Sequence, residues 1–231
     1  MDQNPQANPA SDKSDREKII EGLLALLELD RIENIRMSAI AARASVPLHR
    51  CRTEFASVLS IVAAFTKQID EKVLREETDE AVEESSREKL FDVLMRRFEA
   101  LAPHKEAIRS LARSARCNPG LALALNGLAL RSQHWMLEAA DISTGGLRGL
   151  IRTQGTACLY ASAMRTWLDD DDPGLSRTMA ALDRDLGRAA RWSRCLDDLC
   201  RVIPHPCGRR RRRRSYRDPD FSDPAEQPAV V

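Results

Sequence analysis

Apolar residues recur at three- and four-residue spacing along most of this chain, and that period leaves little room for anything but helices. Leu90, Phe91, Leu94, Phe98 and Leu101 mark one such stripe, and Ile19, Ile20, Leu23, Leu24, Leu26 and Leu27 another. A helix turns once every 3.6 residues, so this spacing gathers apolar side chains on one face. Strand formers are scarce: aromatics make up 4% of the sequence, while Ala, Leu, Arg and Glu, all strong helix formers, dominate. With 231 residues and 43% hydrophobic content, the chain can bury a sizeable core. The expectation is an all-α protein.

Turn and cap residues divide it. Residues 1–14 are a polar, Pro- and Asn-containing lead, expected to stay disordered. Ser14-Asp15 begins the first helix, and Asp30 to Ile35 breaks it. Two short helices follow, at 37–44 and 47–54, joined by a tight turn at Ser45-Val46. Pro47 suits the first position of the second, where its missing N–H has no partner to lose. Two helices joined this way make a helix-turn-helix unit, which Phe55 closes. A longer helix over 58–74 should turn Leu59, Val62, Ala63, Phe65, Ile69 and Val73 inward. The acidic stretch 76–86 reads as a solvated face or loop.

Further helices are expected over 87–101, from Pro103, over 121–140, 147–168 and from Ser176 to about Leu199. Asp169–Asp172 with Pro173-Gly174 reads as a helix end and a turn, with carboxylates bonding to backbone. From Ile203 the chain is rich in Pro, Arg and Asp and should be disordered. The organisation expected is a lead at 1–14, a helix-turn-helix head at 15–75, a helical body at 76–200 and an Arg-rich tail at 201–231.

The net charge of +1 points to no particular partner, but its distribution does. Arg36, Arg43, Arg50, Arg52 and His49 fall in a segment free of Asp and Glu. A helix entering a DNA major groove needs cationic or polar side chains near its N-terminus, with phosphate contacts on its flanks. The DNA-contacting set expected is Arg36, Arg43, Pro47, Leu48, His49, Arg50, Arg52 and Thr53. Arginine can pair bidentately with guanine, and threonine can meet bases or phosphate. The run Arg209–Arg214 could hold phosphates without sequence preference, or meet an anionic membrane surface.

The six cysteines are widely spaced with no CxxC pair, and the polar N-terminus does not read as a signal peptide. Free thiols in the cytoplasm are therefore expected. Cys195, Cys200, Cys207 and His205 match no familiar zinc spacing. There is no HExxH, nucleophile elbow or phosphate loop, so neither a metal, a cofactor nor enzyme activity is expected.

The segment Ile35-Arg-Met-Ser-Ala-Ile-Ala-Ala-Arg-Ala-Ser-Val46, closed by Phe55, resembles the helix-turn-helix of TetR-family transcriptional regulators. Ile40-Ala41 and Ala44-Ser45-Val46 stand where that family carries Ile-Ala and Ala-Gly-Val. Ser45 replaces a turn Gly, Arg52 replaces a Tyr, Val58 a Lys, and Arg31 a Gly. The resemblance implies a DNA-binding head, a ligand-binding body and a homodimer built through the last two long helices. Residues 87–192, through Trp167-Leu-(Asp)n-Pro and Thr178-Met-Ala-Ala-Leu-Asp183, also look like the ubiquinone-biosynthesis lipid-binding proteins that share the TetR fold. That likeness implies, as the alternative, a lipid-binding accessory protein with a degenerate head.

A hydrophobic small molecule or lipid would sit between helices of the body. Leu125, Leu128, His134, Trp135 and Met164 are the lining expected for it, within an apolar set that also holds Leu121, Met136, Leu147, Leu150 and Leu159. An apolar stripe at helical spacing also serves as plain core.

Overall fold

A reciprocal cap starts the first helix. The Ser14 hydroxyl accepts from the Glu17 amide while the Glu17 carboxylate accepts from the Ser14 amide. Ser85 and Glu88 repeat the device at the head of the fifth helix. The computed structural model describes residues 13–75 and 85–202. Among these there are nine α-helices and no strand. The polar lead, most of the acidic stretch and the Arg-rich tail from residue 203 lie outside the described residues, as do the side chains from 190 onward. The chain divides into two compact units, Met1–Arg194 and Cys195–Val231, and the described part of the second is the end of the last helix.

The head comprises α1 (Asp15–Leu27), α2 (Met37–Ala44) and α3 (Leu48–Glu54). Ile19, Leu23 and Leu27 of α1 meet Ile40, Val46, Cys51 and Phe55 in its core. The α1–α2 crossing is close because Gly22 faces Ala44. A Cβ at position 22 would stand 3.2 Å from the Ala44 Cβ and 3.3 Å from the Ile40 carbonyl oxygen. Between α1 and α2 the Asp30 carboxylate accepts from the Arg31 amide and the Asn34 side chain, around a 3-10 turn at Ile32–Asn34. Ser45 ends α2 in the left-handed conformation, φ 56°, ψ 36°, as the Ala-Gly-Val likeness requires. Pro47 is the residue before α3 rather than its first, so the helix begins one position later than expected.

The body is α4 (Val58–Arg75), α5 (Ser86–Leu101), α6 (Lys105–Cys117), α7 (Pro119–Ala139), α8 (Gly146–Leu168) and α9 (Ser176–Val202). Two starts differ from the sequence reading. Pro103 lies in a 3-10 turn (Ala102–His104) ahead of α6, and α7 begins at Pro119 because the Asn118 side chain caps the Leu121 amide. The buried face of α4 is Ile61, Val62, Ala64, Phe65, Ile69, Asp70 and Val73. Leu59 and Ala63 are only half-buried, and Asp70 turns inward.

Asp70 is tolerated because Arg97 and Ser132 reach it. The Arg97 Nε donates at 3.1 Å and the Ser132 hydroxyl at 2.7 Å, both to the same carboxylate oxygen. Burial alone would depress the Arg97 guanidinium, but Tyr160 and Asp70 outweigh it and hold the group charged. Next to this pair, Phe98 stacks on Tyr160 at 4.6 Å and meets Trp167 at 5.6 Å. α7 and α8 form a hairpin tied midway by the reciprocal amide pair of Asn126 and Gln154. The α8–α9 turn is built as the sequence predicts. Asp172 accepts from the Gly174 and Ser176 amides, and Asp170 from the Thr178 amide and hydroxyl.

Candidate nucleic-acid interface

α3 has one buried residue, Cys51, whose thiol donates to the Val46 carbonyl. Apolar burial pushes that thiol up, so it acts as packing rather than as a nucleophile. Every other side chain of the helix points out. Leu48, His49, Arg50, Arg52 and Thr53 are all exposed, as are Pro47 before them and Arg36 and Arg43 on the flanking segment. The structure therefore brings the eight residues expected from the sequence onto the outer surface of the head. Seven-residue α3 is short, and its position is braced from α1. Arg50 pairs with Asp15 at 2.7 Å, Arg16 pairs with Glu54 at 3.6 Å, and the Arg16 guanidinium lies over the Phe55 ring.

The bracing separates the arginines. Arg50 already has a carboxylate partner, though an exposed pair of this kind holds at most about 1 kcal/mol and can be exchanged for a phosphate. Arg36, Arg43 and Arg52 form no ion pair with any described residue. The Thr53 hydroxyl donates back to the His49 carbonyl, leaving its lone pairs outward. Ser57 and Ser60 cap the start of α4 by exchanging side-chain-to-amide bonds, so the chain behind α3 is held as well. The resulting surface is exposed, rich in arginine and tied to α1 and α4 by ion pairs and caps. The sequence did not expose Asp15 and Arg16 as the braces, since they lie more than thirty residues from their partners.

The expected ligand lining is not one surface. His134 and Trp135 are exposed, Trp135 at 53%, and they pack on each other edge-on. The reason is helical phase: Ser132, Gln133, Met136 and Leu137 take the inward side of α7, which leaves 134 and 135 outside. Leu147 and Leu150 are also exposed. Leu125, Leu128 and Met164 are half-buried against the core, and Met136 and Leu159 are within it. Among the described residues no group of His, Cys, Asp and Glu could hold a metal ion, and no helix is long and apolar enough to cross a membrane.

Solved structures to which this chain is similar include TetR-family transcriptional regulators. One from Nitrosomonas europaea superimposes with a TM-score of 0.60 at 22% identity, covering 76% of this chain and 97% of the other. The fold is the TetR fold. A TetR-family regulator from Streptomyces coelicolor gives 0.53 at 16% identity over 80% and 84% of the two chains. Another, from Rhodococcus sp. RHA1, gives 0.50 at 18% over 74% and 96%. No family model matches the sequence, and no curated protein matches it. In the TetR fold, α2 and α3 of this chain are the helix-turn-helix, and α4 leads from it into the body.

Proposed function

We propose that this protein is a dimeric, ligand-responsive transcriptional regulator of the TetR type, with α3 reading the major groove of an operator. The observation that carries the reading is the outward, arginine-rich face of α3 and its flanks, on which Arg36, Arg43 and Arg52 have no ion-pair partner among the described residues. A helix retained only for packing has no reason to expose every residue but one. Arg52 follows as the base or phosphate contact of greatest weight, because of the two arginines on α3 it is the one with no ion-pair partner to give up. Arg50 follows as a residue that exchanges Asp15 for DNA.

Dimerisation is supported by the apolar side chains that α8 and α9 leave in solvent. Leu147 is 75% and Leu150 68% exposed, with Ile151 beside them and Met179 on α9. A two-fold operator is matched by a two-fold protein. The body helices, with α4 running from them into the head, give a ligand a route to bias the spacing of the two α3 helices.

The test is selection of genomic DNA by the purified protein, followed by anisotropy titrations on the enriched site. Arg52→Ala should weaken that complex by about 1–3 kcal/mol, or 5- to 150-fold, with unchanged helicity. Arg50→Ala should weaken it less. No enriched sequence, or unaltered affinity in Arg52→Ala, would remove α3 from the mechanism.

A further inference from the structure

α1 opens with two charges of opposite sign, and each pairs with a residue of the other sign on α3. Two Arg50 donors, Nε at 2.9 Å and an Nη at 2.7 Å, reach the same oxygen of Asp15. The Arg16 guanidinium stands 3.6 Å from the Glu54 carboxylate and 4.7 Å from the centre of the Phe55 ring. Glu54 is the one carboxylate on α3, whose seven residues also hold two arginines and a histidine. The Ser14–Glu17 cap fixes the first turn of α1, so neither Asp15 nor Arg16 is carried on a loose end.

For a helix that meets phosphates, the two pairs have opposite consequences. Asp15 occupies Arg50. When Arg50 turns to DNA, the capped turn keeps a bare carboxylate close to a polyanion. Arg16 does the reverse. Glu54 alone would repel phosphate, and its charge at the C-terminal end of α3 is also disfavoured by the helix dipole. Paired with Arg16, that repulsion is offset. Both pairs are exposed, so each changes an equilibrium that depends on it by no more than about fivefold. Simple bracing gives a different sign: if the pairs only held α3 in place, loss of either would weaken DNA binding.

We propose that Asp15 and Arg16 set the strength of DNA binding in opposite directions, Asp15 by competing with DNA for Arg50 and Arg16 by covering Glu54. This deepens the regulator reading and rests on it. Anisotropy titrations of the full chain, on the enriched site and on an unrelated duplex of equal length across a range of salt, test it. Asp15→Asn should tighten both complexes by about two- to fivefold. It should also steepen the loss of affinity with salt, because no carboxylate is left beside the DNA to hold a cation. Asp15→Glu, which keeps the charge, should behave as the parent, and Asp15→Ser replaces the asparagine variant if that one does not fold. Arg16→Gln should weaken both complexes by a similar factor. Neither effect should survive removal of its partner: Asp15→Asn should change nothing in an Arg50→Ala background, nor Arg16→Gln in a Glu54→Gln background. Unchanged or weaker binding in Asp15→Asn, or unchanged or tighter binding in Arg16→Gln, would overturn the proposal. So would effects of full size in the partner backgrounds, which would mean that charge near DNA acts generally and not through Arg50 and Glu54. A parent that binds neither duplex overturns the regulator reading and this proposal with it. A parent that binds, with variants that depart from these expectations, overturns this proposal alone.

Discussion

Ser45 is where the helix-turn-helix departs, at some cost, from the Ala-Gly-Val pattern that it resembles. It holds φ 56° with a β-carbon, a conformation in which glycine has no steric penalty. Its side chain is exposed and forms none of the hydrogen bonds that fix the turn. Those are the bond from its own amide to the Ala42 carbonyl and the bond from Val46 to Ala41. Ser45→Gly should therefore stabilise the protein by about 1 kcal/mol, read as a higher urea midpoint at fixed protein concentration. The sequence disclosed this residue because the motif around it is short and continuous. It did not disclose Gly22, whose missing Cβ lets α1 approach α2, since that requirement comes from a neighbour twenty-two residues away. A midpoint unchanged or lowered by Ser45→Gly would mean that the turn is not strained.

Among elements, the junction of α8 and α9 depends on carboxylates more than on apolar packing. Asp170 is almost wholly buried and accepts from the Thr178 amide at 2.8 Å and hydroxyl at 2.7 Å, while its own carbonyl accepts from Lys105 at 2.6 Å. Arg109 donates to the Leu168 carbonyl at the end of α8, so α6 secures the same corner. Burial works to raise the Asp170 carboxyl, but the Thr178 bonds outweigh it and the group lies below its ordinary value of 3.8. A depressed carboxyl stabilises the fold above that value, and the contribution is lost as pH falls through the lower one in the folded state. Asp170→Ala should cost about 1–3 kcal/mol at pH 7, since it leaves the Thr178 N–H buried and unpaired. Its unfolding midpoint should also approach that of the parent as acidification protonates Asp170 in the folded parent. A variant as stable as the parent at pH 7 would show that the turn is held by packing instead.

Legibility at this scale follows the range of the interactions. The helices, their order and the Asp-rich turn were readable because caps and periodicity act within a few residues. The phase of each helix was less so. On α4 the buried face is rotated enough to carry Asp70 inside, and on α7 Trp135 is outside although it is the largest apolar residue there. Asp70 goes inward because the distant Arg97 and Ser132 reach it, and the phase of α7 puts Ser132, Gln133, Met136 and Leu137 inside and leaves Trp135 out. A reading that scores residues by hydrophobicity alone assigns those positions the other way round. The cationic set on α3 escaped this difficulty, since exposed charge is the expectation for any arginine that lacks a buried partner.

At the scale of the molecule, the exposed apolar side chains at the start of α8 are the surface on which the proposed dimer can be tested. Leu147, Leu150 and Ile151 share one side of α8, and a β-carbon at exposed Gly155 on the same helix would meet nothing within 4 Å. Large apolar side chains around such a flat point allow close approach of a second helix, and leaving them in water is unfavourable by about 25 cal/mol per Å². The parent should therefore sediment as a dimer at micromolar concentration. Leu150→Arg with Ile151→Arg should give a monomer of unchanged helicity, because the charges are tolerated in solvent but not between two copies. Its operator affinity should fall more than tenfold even though α3 is untouched, since two linked heads engage two half-sites far better than either alone. A monomeric parent, or a double variant that remains dimeric, would place the contact between copies elsewhere. A monomeric variant that keeps full affinity would instead show that each head binds DNA independently.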